Sequence, residues 1–406
     1  MRRSIFRLTA LLLALLMLLA TVGCKEPEDP TSEPAEPSET SSGAASDIPG
    51  GDPLQYKDPA ETLAGFPAYS FSSSALVIVT DPASSLCTHR EMLSAALSDI
   101  YSAIEEKYNT FVYLQTYEKD ALFDACKTAV TNGTYFADLV AIPLSELPRY
   151  HDAGLLMPVR LLPFLKTTDA GLDAAAMEAL SFDGEQFAVL GSGSLPQLGI
   201  TTLLFNEELL KELKVTTDPL TLAREGKWTW DAFLSLLDEL TAAGRKDALL
   251  GTTLDAARLQ KAVETVYPAP ADAAATVAKL PKTMLSGGEA TRAFNDGKLP
   301  FLFTTVDSLY EYPHSESVWS CLPMPKAAES DPGYSCLYDP DSTYVYVVLD
   351  RTVRTDYAGI YLRAVNAAAE GACVSSLSYE LLSGFVRTES CIEMFVKLLE
   401  SAKVGK

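Results

Sequence analysis

The sequence predicts an α/β protein of about two domains. Apolar, β-branched runs of strand length alternate with stretches whose apolar residues recur at three- and four-residue steps. The 406 residues suffice for two cores, and 48% of them are hydrophobic against a formal net charge of −22, the balance of an acidic globular protein. Such alternation gives mainly parallel sheets covered on both faces, with ligands outside the carboxyl ends of the strands. An acidic chain without a basic stripe is repelled by a duplex, so nucleic acid is not an expected partner.

Residues 1–7 carry Arg2, Arg3 and Arg7, residues 8–22 are almost entirely apolar, and the run closes on Gly23-Cys24. It is too short for a comfortable membrane span, and its basic and small flanks mark residues 1–23 as a secretory signal that is removed. Thr21-Val22-Gly23-Cys24 resembles the bacterial lipobox, departing from it at Thr21, where Leu is usual. That resemblance implies that Cys24 is acylated and becomes the first residue, its acyl chains giving the two hydrophobic signals stable attachment requires. Loss of three arginines and no acids takes the charge from −22 to −25, so lipid and not charge would hold the protein at the membrane. Residues 24–65 read as a disordered, acidic Pro/Ser-rich tether. Between Lys25 and Asp47 there is no Leu, Ile, Val or aromatic residue to build a core, and about 35 such residues span on the order of 30 Å.

Ala75–Thr80 (ALVIVT) is a buried strand closed by the turn pair Asp81-Pro82. From Met92, the apolar positions Leu93, Ala96, Leu97, Ile100, Tyr101, Ile104 and Tyr108 form a wide helical stripe. Residues 110–115 make a second strand, residues 119–130 a helix with Leu122, Phe123 and Cys126 inward, and residues 139–142 a third strand. Residues 226–241 (GKWTWDAFLSLLDELT) join a turn to a helix: Thr229 is its N-cap, and Phe233, Leu234, Leu237 and Leu240 recur at helical spacing. Trp230 reads as a packing residue that buries its ring and satisfies its N–H locally. Trp228 fits either packing or a ligand-facing wall, and Trp319 reads as core.

The six cysteines beyond Cys24 show no Cys-x-x-Cys spacing and read as buried free thiols. His89, His151 and His314 include no pair at helical spacing, so neither a metal nor another cofactor is expected. The segment GSGSLP at residues 191–196 lacks the third glycine and helix start of a phosphate loop, and DPDST at residues 339–343 lacks the ligand spacing of a calcium loop and reads as a turn. A nucleophile elbow is absent and the histidines are too scattered for a triad, so the chain reads as no enzyme.

Residues 138–158 (DLVAIPLSELPRYHDAGLLMP) resemble a segment of the extracellular solute-binding proteins of ABC importers, where Asp-Leu-Val closes a strand and Gly-Leu-Leu-x-Pro ends a short helix. FDGEQFAVL at residues 182–190 is similar to the family's hairpin before the first interdomain crossing, and TTLLFNEELL at residues 201–210 to the strand, Asn and helix after it. FNDGKLPFLFTT at residues 294–305 and WSCLPMPK at residues 319–326 resemble two further family strands, and residues 334–348 the return across the hinge. RTESCIEM at residues 387–394 resembles an element typical of clostridial members, with Thr388 and Cys391 in place of Asp and Ser. The resemblance covers nearly all of residues 70–400 and rests on the order and spacing of these motifs. Relatives usually continue into further carboxyl-terminal helices, whereas this sequence stops at Lys406, soon after the RTESCIEM element.

The resemblance implies a two-lobed periplasmic-binding-protein-like fold, with lobe 1 in residues 66–195 and 345–385 and lobe 2 in residues 196–344 and 386–406. Loops at strand ends would then line the cleft: Asp81 after the first strand, Ser145 after the third, and Ser192, Ser194 and Gln197 at the first crossing. Thr304 and Asp307 would come from lobe 2, and Tyr338, Asp339 and Tyr344 from the return. Carboxylates, amides and hydroxyls suit sugar hydroxyls, and an aromatic face suits the apolar side of a pyranose. Ser192 and Ser194 are hinge residues first, because the neighbouring glycines let the backbone turn. The expectation is a monomer, lipid-anchored through Cys24 on the outer face of the cytoplasmic membrane, that captures a mono- or oligosaccharide for ABC permease subunits. The alternative is a surface lipoprotein of the same fold that acts as a sensor or adhesion module without transport.

Overall fold

The computed structural model describes residues 55–87, 91–245, 247–311, 318–384 and 389–405, all within one compact unit, residues 50–406. The signal segment, Cys24, the tether up to residue 54, His89, His314 and Arg387 lie outside the described residues. Among the described residues no helix is long and apolar enough to cross a membrane. The end of the expected tether is ordered: Pro59–Ala64 is a helix capped by Asp58, whose side chain accepts from two backbone N–H groups. Leu63 anchors it, 1% exposed.

In chain order the strands are β1 (Ala75–Thr80), β2 (Phe111–Thr116), β3 (Leu139–Pro143), β4 (Thr201–Asn206), β5 (Leu250–Thr252) and β6 (Leu285–Ser286). Then come β7 (Phe301–Thr305), β8 (Trp319–Leu322), β9 (Cys336–Leu337), β10 (Tyr344–Val347) and β11 (Ala402–Lys403). One sheet has the order β10-β3-β1-β2, the other β6-β5-β7-β4-β8, and β9 pairs with β11. These sheets with their helices are the two lobes. Both are mainly parallel, as expected, with one reversed strand each: β10 runs against β3, and β4 against β7 and β8. The reversal falls on the strands entered from a crossing. A chain arriving from the other lobe meets its new sheet at the carboxyl ends of the parallel strands and must run away from them.

Expected helices formed where the apolar stripe required them. Helix Glu91–Tyr108 buries Leu93, Ala96, Leu97, Ile100 and Ile104, and helix Lys119–Asn132 buries Leu122, Phe123 and Cys126. Coverage of both faces fails at the sheet edge. Strand β2 alternates, leaving Phe111 60% and Tyr113 55% exposed, because an edge strand needs only one buried face. The FDGEQFAVL segment opens on a two-residue hairpin turn: Phe182 and Glu185 exchange two bonds of 2.9 Å around Asp183 and Gly184, both at positive φ. Its later part joins β10 instead, Val189 and Tyr346 exchanging bonds of 2.8 and 3.0 Å.

The tryptophans of GKWTWDAF lie in the core of lobe 2. Thr229 caps helix Trp230–Ala242 by accepting from the Ala232 N–H at 3.2 Å, as its position predicted. Trp228 is fully buried and donates from Nε1 to the Pro323 carbonyl at 3.0 Å, which settles it as packing. Trp230 is 1% exposed against Phe233 and Phe303, but its Nε1–H has no hydrogen-bond partner among the described residues. The expected local satisfaction of that N–H is therefore absent, since the ring is surrounded by other rings. Trp319 is core, at 3% exposed. Cys87, Cys126, Cys336 and Cys373 are free thiols; burial pushes Cys126 and Cys373 up to about 12 and Cys336 to about 11, so none of these three forms a thiolate at neutral pH.

Candidate functional site

Two segments cross between the sheets, residues 191–200 and residues 338–343, and they are bonded to each other by the Asp339 N–H donating to the Gly199 carbonyl at 2.8 Å. The first crossing is two 3-10 turns, Ser192–Ser194 and Pro196–Gly199, joined at Leu195, whose φ is +55°. Its glycines serve space and not the turning expected of them. Gly191 has an extended φ of −172°, and a Cβ there would lie 2.3 Å from Asn366 Oδ1 and 2.5 Å from the Gly171 carbonyl oxygen. At Gly199 a Cβ would lie 2.1 Å from Thr343 Oγ1, so this glycine lets the crossings touch. Buried Asn366, on helix Thr355–Gly384, accepts from the Gly193 N–H at 3.0 Å, and Tyr346 Oη donates to the Gly193 carbonyl at 3.0 Å.

Around this frame the candidates fall into two groups. On the lobe 1 side, Asp81 accepts from Tyr344 Oη at 2.8 Å through each carboxylate oxygen, and from the Ala83 N–H at 2.8 Å. Desolvation, then the bond to Asp81, raises the Tyr344 hydroxyl well above the ordinary tyrosine range, so it stays a neutral donor. The same loop reaches the first crossing through Ser85 Oγ, which donates to the Ser194 carbonyl at 2.9 Å, while Ser194 Oγ donates to the Gly191 carbonyl at 3.0 Å. The Ser145 N–H donates to the Pro340 carbonyl at 2.9 Å.

On the lobe 2 side, Asp339 has no exposed surface and takes a two-pronged ion pair from Arg258, Nε to Oδ2 and Nη2 to Oδ1, both 2.7 Å. Arg258 Nη2 also donates to Ser342 Oγ at 3.2 Å. Burial works against the Arg258 charge, but its bonds to Asp339 outweigh that and raise its pKa. The Asp341 and Ser342 N–H groups close on Asp339 Oδ1, and the Thr343 N–H on the Asp339 carbonyl at 2.9 Å, so DPDST is a turn. Asp307 accepts from Thr305 Oγ1 and from the Ser308 N–H. Although water reaches its side chain, desolvation by surrounding protein is the largest influence on Asp307 and raises its pKa, with Asp339 adding to the rise and Arg258 opposing it.

Of the ten candidates, water reaches Ser145 and Asp307 freely and Ser192 in part; the other seven are buried. Tyr338 Oη reaches only 3.5 Å from Asp173 Oδ2, Thr304 shares a 2.8 Å hydroxyl contact with Thr253, and Gln197 holds its Nε2 without a partner among the described residues. In this conformation Asp81, Ser194, Asp339 and Tyr344 spend their polar groups on bonds at or beside the crossings. Sequence reasoning missed Arg258, which follows the N-cap Asp255 on helix Ala256–Glu264. A signal existed: an arginine in the first turn opposes the helix dipole, and so calls for a nearby carboxylate. Among the described residues, no group of three or more His, Cys, Asp or Glu side chains is arranged to hold a metal ion.

A family model described as bacterial extracellular solute-binding protein matches residues 93–312. Solved structures of similar fold include the sugar-binding protein MalE of Xanthomonas citri, with a TM-score of 0.58 and 12% identity over 82% of this chain and 86% of that one. The galacto-N-biose-/lacto-N-biose I-binding protein of an ABC transporter from Bifidobacterium longum, in complex with lacto-N-biose, gives 0.57 and 14% over 82% and 87%. The GacH receptor of Streptomyces glaucescens, known unliganded and with acarbose, gives 0.51 and 14% over 81% and 87%. No curated protein matches the sequence.

Proposed function

The chain belongs to the bacterial extracellular solute-binding proteins, and on that premise we propose that it captures a carbohydrate between its two lobes and hands it to an ABC permease. The observation that carries this reading is the hinge. Two crossings bonded to one another, each tied to both sheets, leave the lobes free to close about a solute without breaking either core. The saccharides bound by the Bifidobacterium and Streptomyces proteins support the solute class. Lobe 1 is placed in residues 66–195 and 345–385, in keeping with β10 joining the first sheet and helix Thr355–Gly384 packing on Glu91–Tyr108. Lobe 2 takes residues 196–344 and 386–406, in keeping with helix Glu389–Glu400 packing against β8.

A panel of neutral mono- and oligosaccharides, peptides and polyols at millimolar concentration tests the solute class by thermal melting. A ligand that binds only the native state stabilises it by about 2.7 kcal/mol at a hundredfold excess over Kd. A saccharide is expected to raise Tm; a shift produced only by peptides would overturn the carbohydrate reading. The anchor is proposed at Cys24, on the strength of the lipobox-like Thr21-Val22-Gly23-Cys24. Cys24→Ala is expected to move the protein from the membrane fraction to the medium, and a variant that stayed membrane-bound would refute acylation as the anchor.

A further inference from the structure

Strand β2 ends the lobe 1 sheet and has no strand beyond it among the described residues. The opposite edge is closed, because Tyr346 of β10 exchanges two bonds with Val189. Along a strand the N–H and C=O of one residue point to the same side, and successive residues alternate. The Tyr117 N–H donates inward, to the Thr80 carbonyl of β1 at 2.9 Å, so Phe111, Tyr113 and Gln115 face β1 and Val112, Leu114 and Thr116 turn their backbone groups outward. Glu105 Oε1, from helix Glu91–Tyr108, takes the outward Val112 N–H at 2.8 Å. The Leu114 and Thr116 N–H groups and all three outward carbonyls have no partner among the described residues.

Two features decide what covers this edge. The first is charge. Residues 108–117 (YNTFVYLQTY) include no ionisable acid or base of the Asp, Glu, Lys, Arg or His kind, and β2 holds no lysine or proline to guard it. In a chain of net charge −22, an uncharged strip is where a second copy meets the least repulsion. The tether is ill-suited to the place, since residues 25–47 offer no Leu, Ile, Val or aromatic side chain to lay on the exposed rings of Phe111 and Tyr113. The second feature is the pattern of outward groups, which fits its own two-fold image.

We propose that β2 pairs antiparallel with β2 of a second copy about a two-fold axis at Leu114, in place of the expected monomer. Leu114 of each copy then exchanges both bonds with its mate, and each Thr116 N–H donates to the Val112 carbonyl opposite, without displacing Glu105. A register centred nearer the amino end meets the Thr110 and Val112 N–H groups, both already taken by Glu105. One centred nearer the carboxyl end draws Glu118 and Asp120 of the two copies together. At Leu114, Phe111 falls opposite Tyr117 of the second copy and Tyr113 opposite Gln115, as non-hydrogen-bonded pairs whose side chains come closest. Tyr117 is already braced for this, its ring 5.5 Å from Phe136 and its hydroxyl accepting from Gln115 Nε2 at 3.1 Å. Both crossings meet the sheet at its β10 edge, so pairing at β2 leaves the hinge free.

Sedimentation velocity of the mature Cys24→Ala protein over about 1–200 µM, in low salt and in about 0.5 M NaCl, tests the pairing. A monomer–dimer equilibrium is expected, tighter in high salt, which screens the repulsion between acidic copies. Tyr113→Lys sets two ammonium groups near the axis, and Thr116→Pro deletes an outward N–H. Each is expected to weaken dimerisation at least tenfold, and Tyr113→Lys, at an exposed side chain, to melt within about 3 °C of the parent. Tyr113→Cys combined with Gln115→Cys is expected to give a disulfide-linked dimer on mild oxidation, because the two positions face each other. Phe111→Cys, which faces Tyr117 and not its own mate, is expected to give none. A monomer at every concentration and salt, a dimer that both substitutions leave intact, or linkage through Phe111→Cys alone would overturn the proposal. So would a monomer whose Leu114 and Thr116 amides resist hydrogen exchange, which would assign the edge to residues 24–54 of the same chain. Tyr113→Lys is expected to keep the parent's saccharide affinity, so the pairing and the carbohydrate reading fail separately.

Discussion

Arg258→Ala is expected to lower the stability of the folded body by about 3–5 kcal/mol, because it strands a carboxylate with no exposed surface. The substitution removes both 2.7 Å bonds from the guanidinium and leaves the Asp339 carboxylate, among the described residues, the Asp341 and Ser342 N–H groups at 3.2 and 3.0 Å. In water such a pair contributes little, but desolvation of the anion is already complete here, so its loss of a partner cannot be offset by hydration. Denaturant melts would show this. Arg258→Met combined with Asp339→Asn, which removes both charges, is expected to recover at least half of the loss. A single variant within about 1 kcal/mol of the parent would mean that water screens the pair, and that it does not hold the crossing to lobe 2.

Trp230→Ala is expected to cost about 3–5 kcal/mol and to leave saccharide affinity unchanged. The ring is 1% exposed and lies 5.9 Å, centroid to centroid, from both Phe233 and Phe303, so its removal opens a cavity among rings that cannot collapse into it. Part of the loss is returned, because the indole N–H is buried without a partner among the described residues and costs the native state something already. Trp230→Phe, which drops that N–H and keeps most of the packing, should therefore be far milder than Trp230→Ala. Urea melts paired with calorimetric titration separate the two readings of this residue. A Trp230→Ala protein that melted like the parent yet lost its ligand would return Trp230 to the binding surface.

The fold was legible because its signals are local. ALVIVT became β1 residue for residue, Asn206 and Thr229 cap the helices that follow them, and the inward face of Lys119–Asn132 holds the three side chains its spacing named. The site was legible only as a set of loops. Asp81 and Tyr344 stand 263 positions apart and meet across 2.8 Å, and Arg258 reaches Asp339 from 81 positions away. No periodicity encodes such pairs, because they depend on how two sheets are set against a hinge. The glycines of GSGSLP show the same limit. Their presence announced an unusual backbone, but the need was for room beside Val365 and Asn366, which lie far along the chain.

By itself the sequence determined the alternation of strands and helices, the Thr229 cap, and the packing roles of Trp230 and Trp319. These follow from side-chain periodicity and backbone preference, which act over a few residues. Only the tertiary structure decided which strands run backwards and which candidate residues spend their polar groups beside the hinge. Those outcomes depend on the direction from which the chain enters each lobe and on desolvation between surfaces remote in sequence, and both exist only once the lobes have packed.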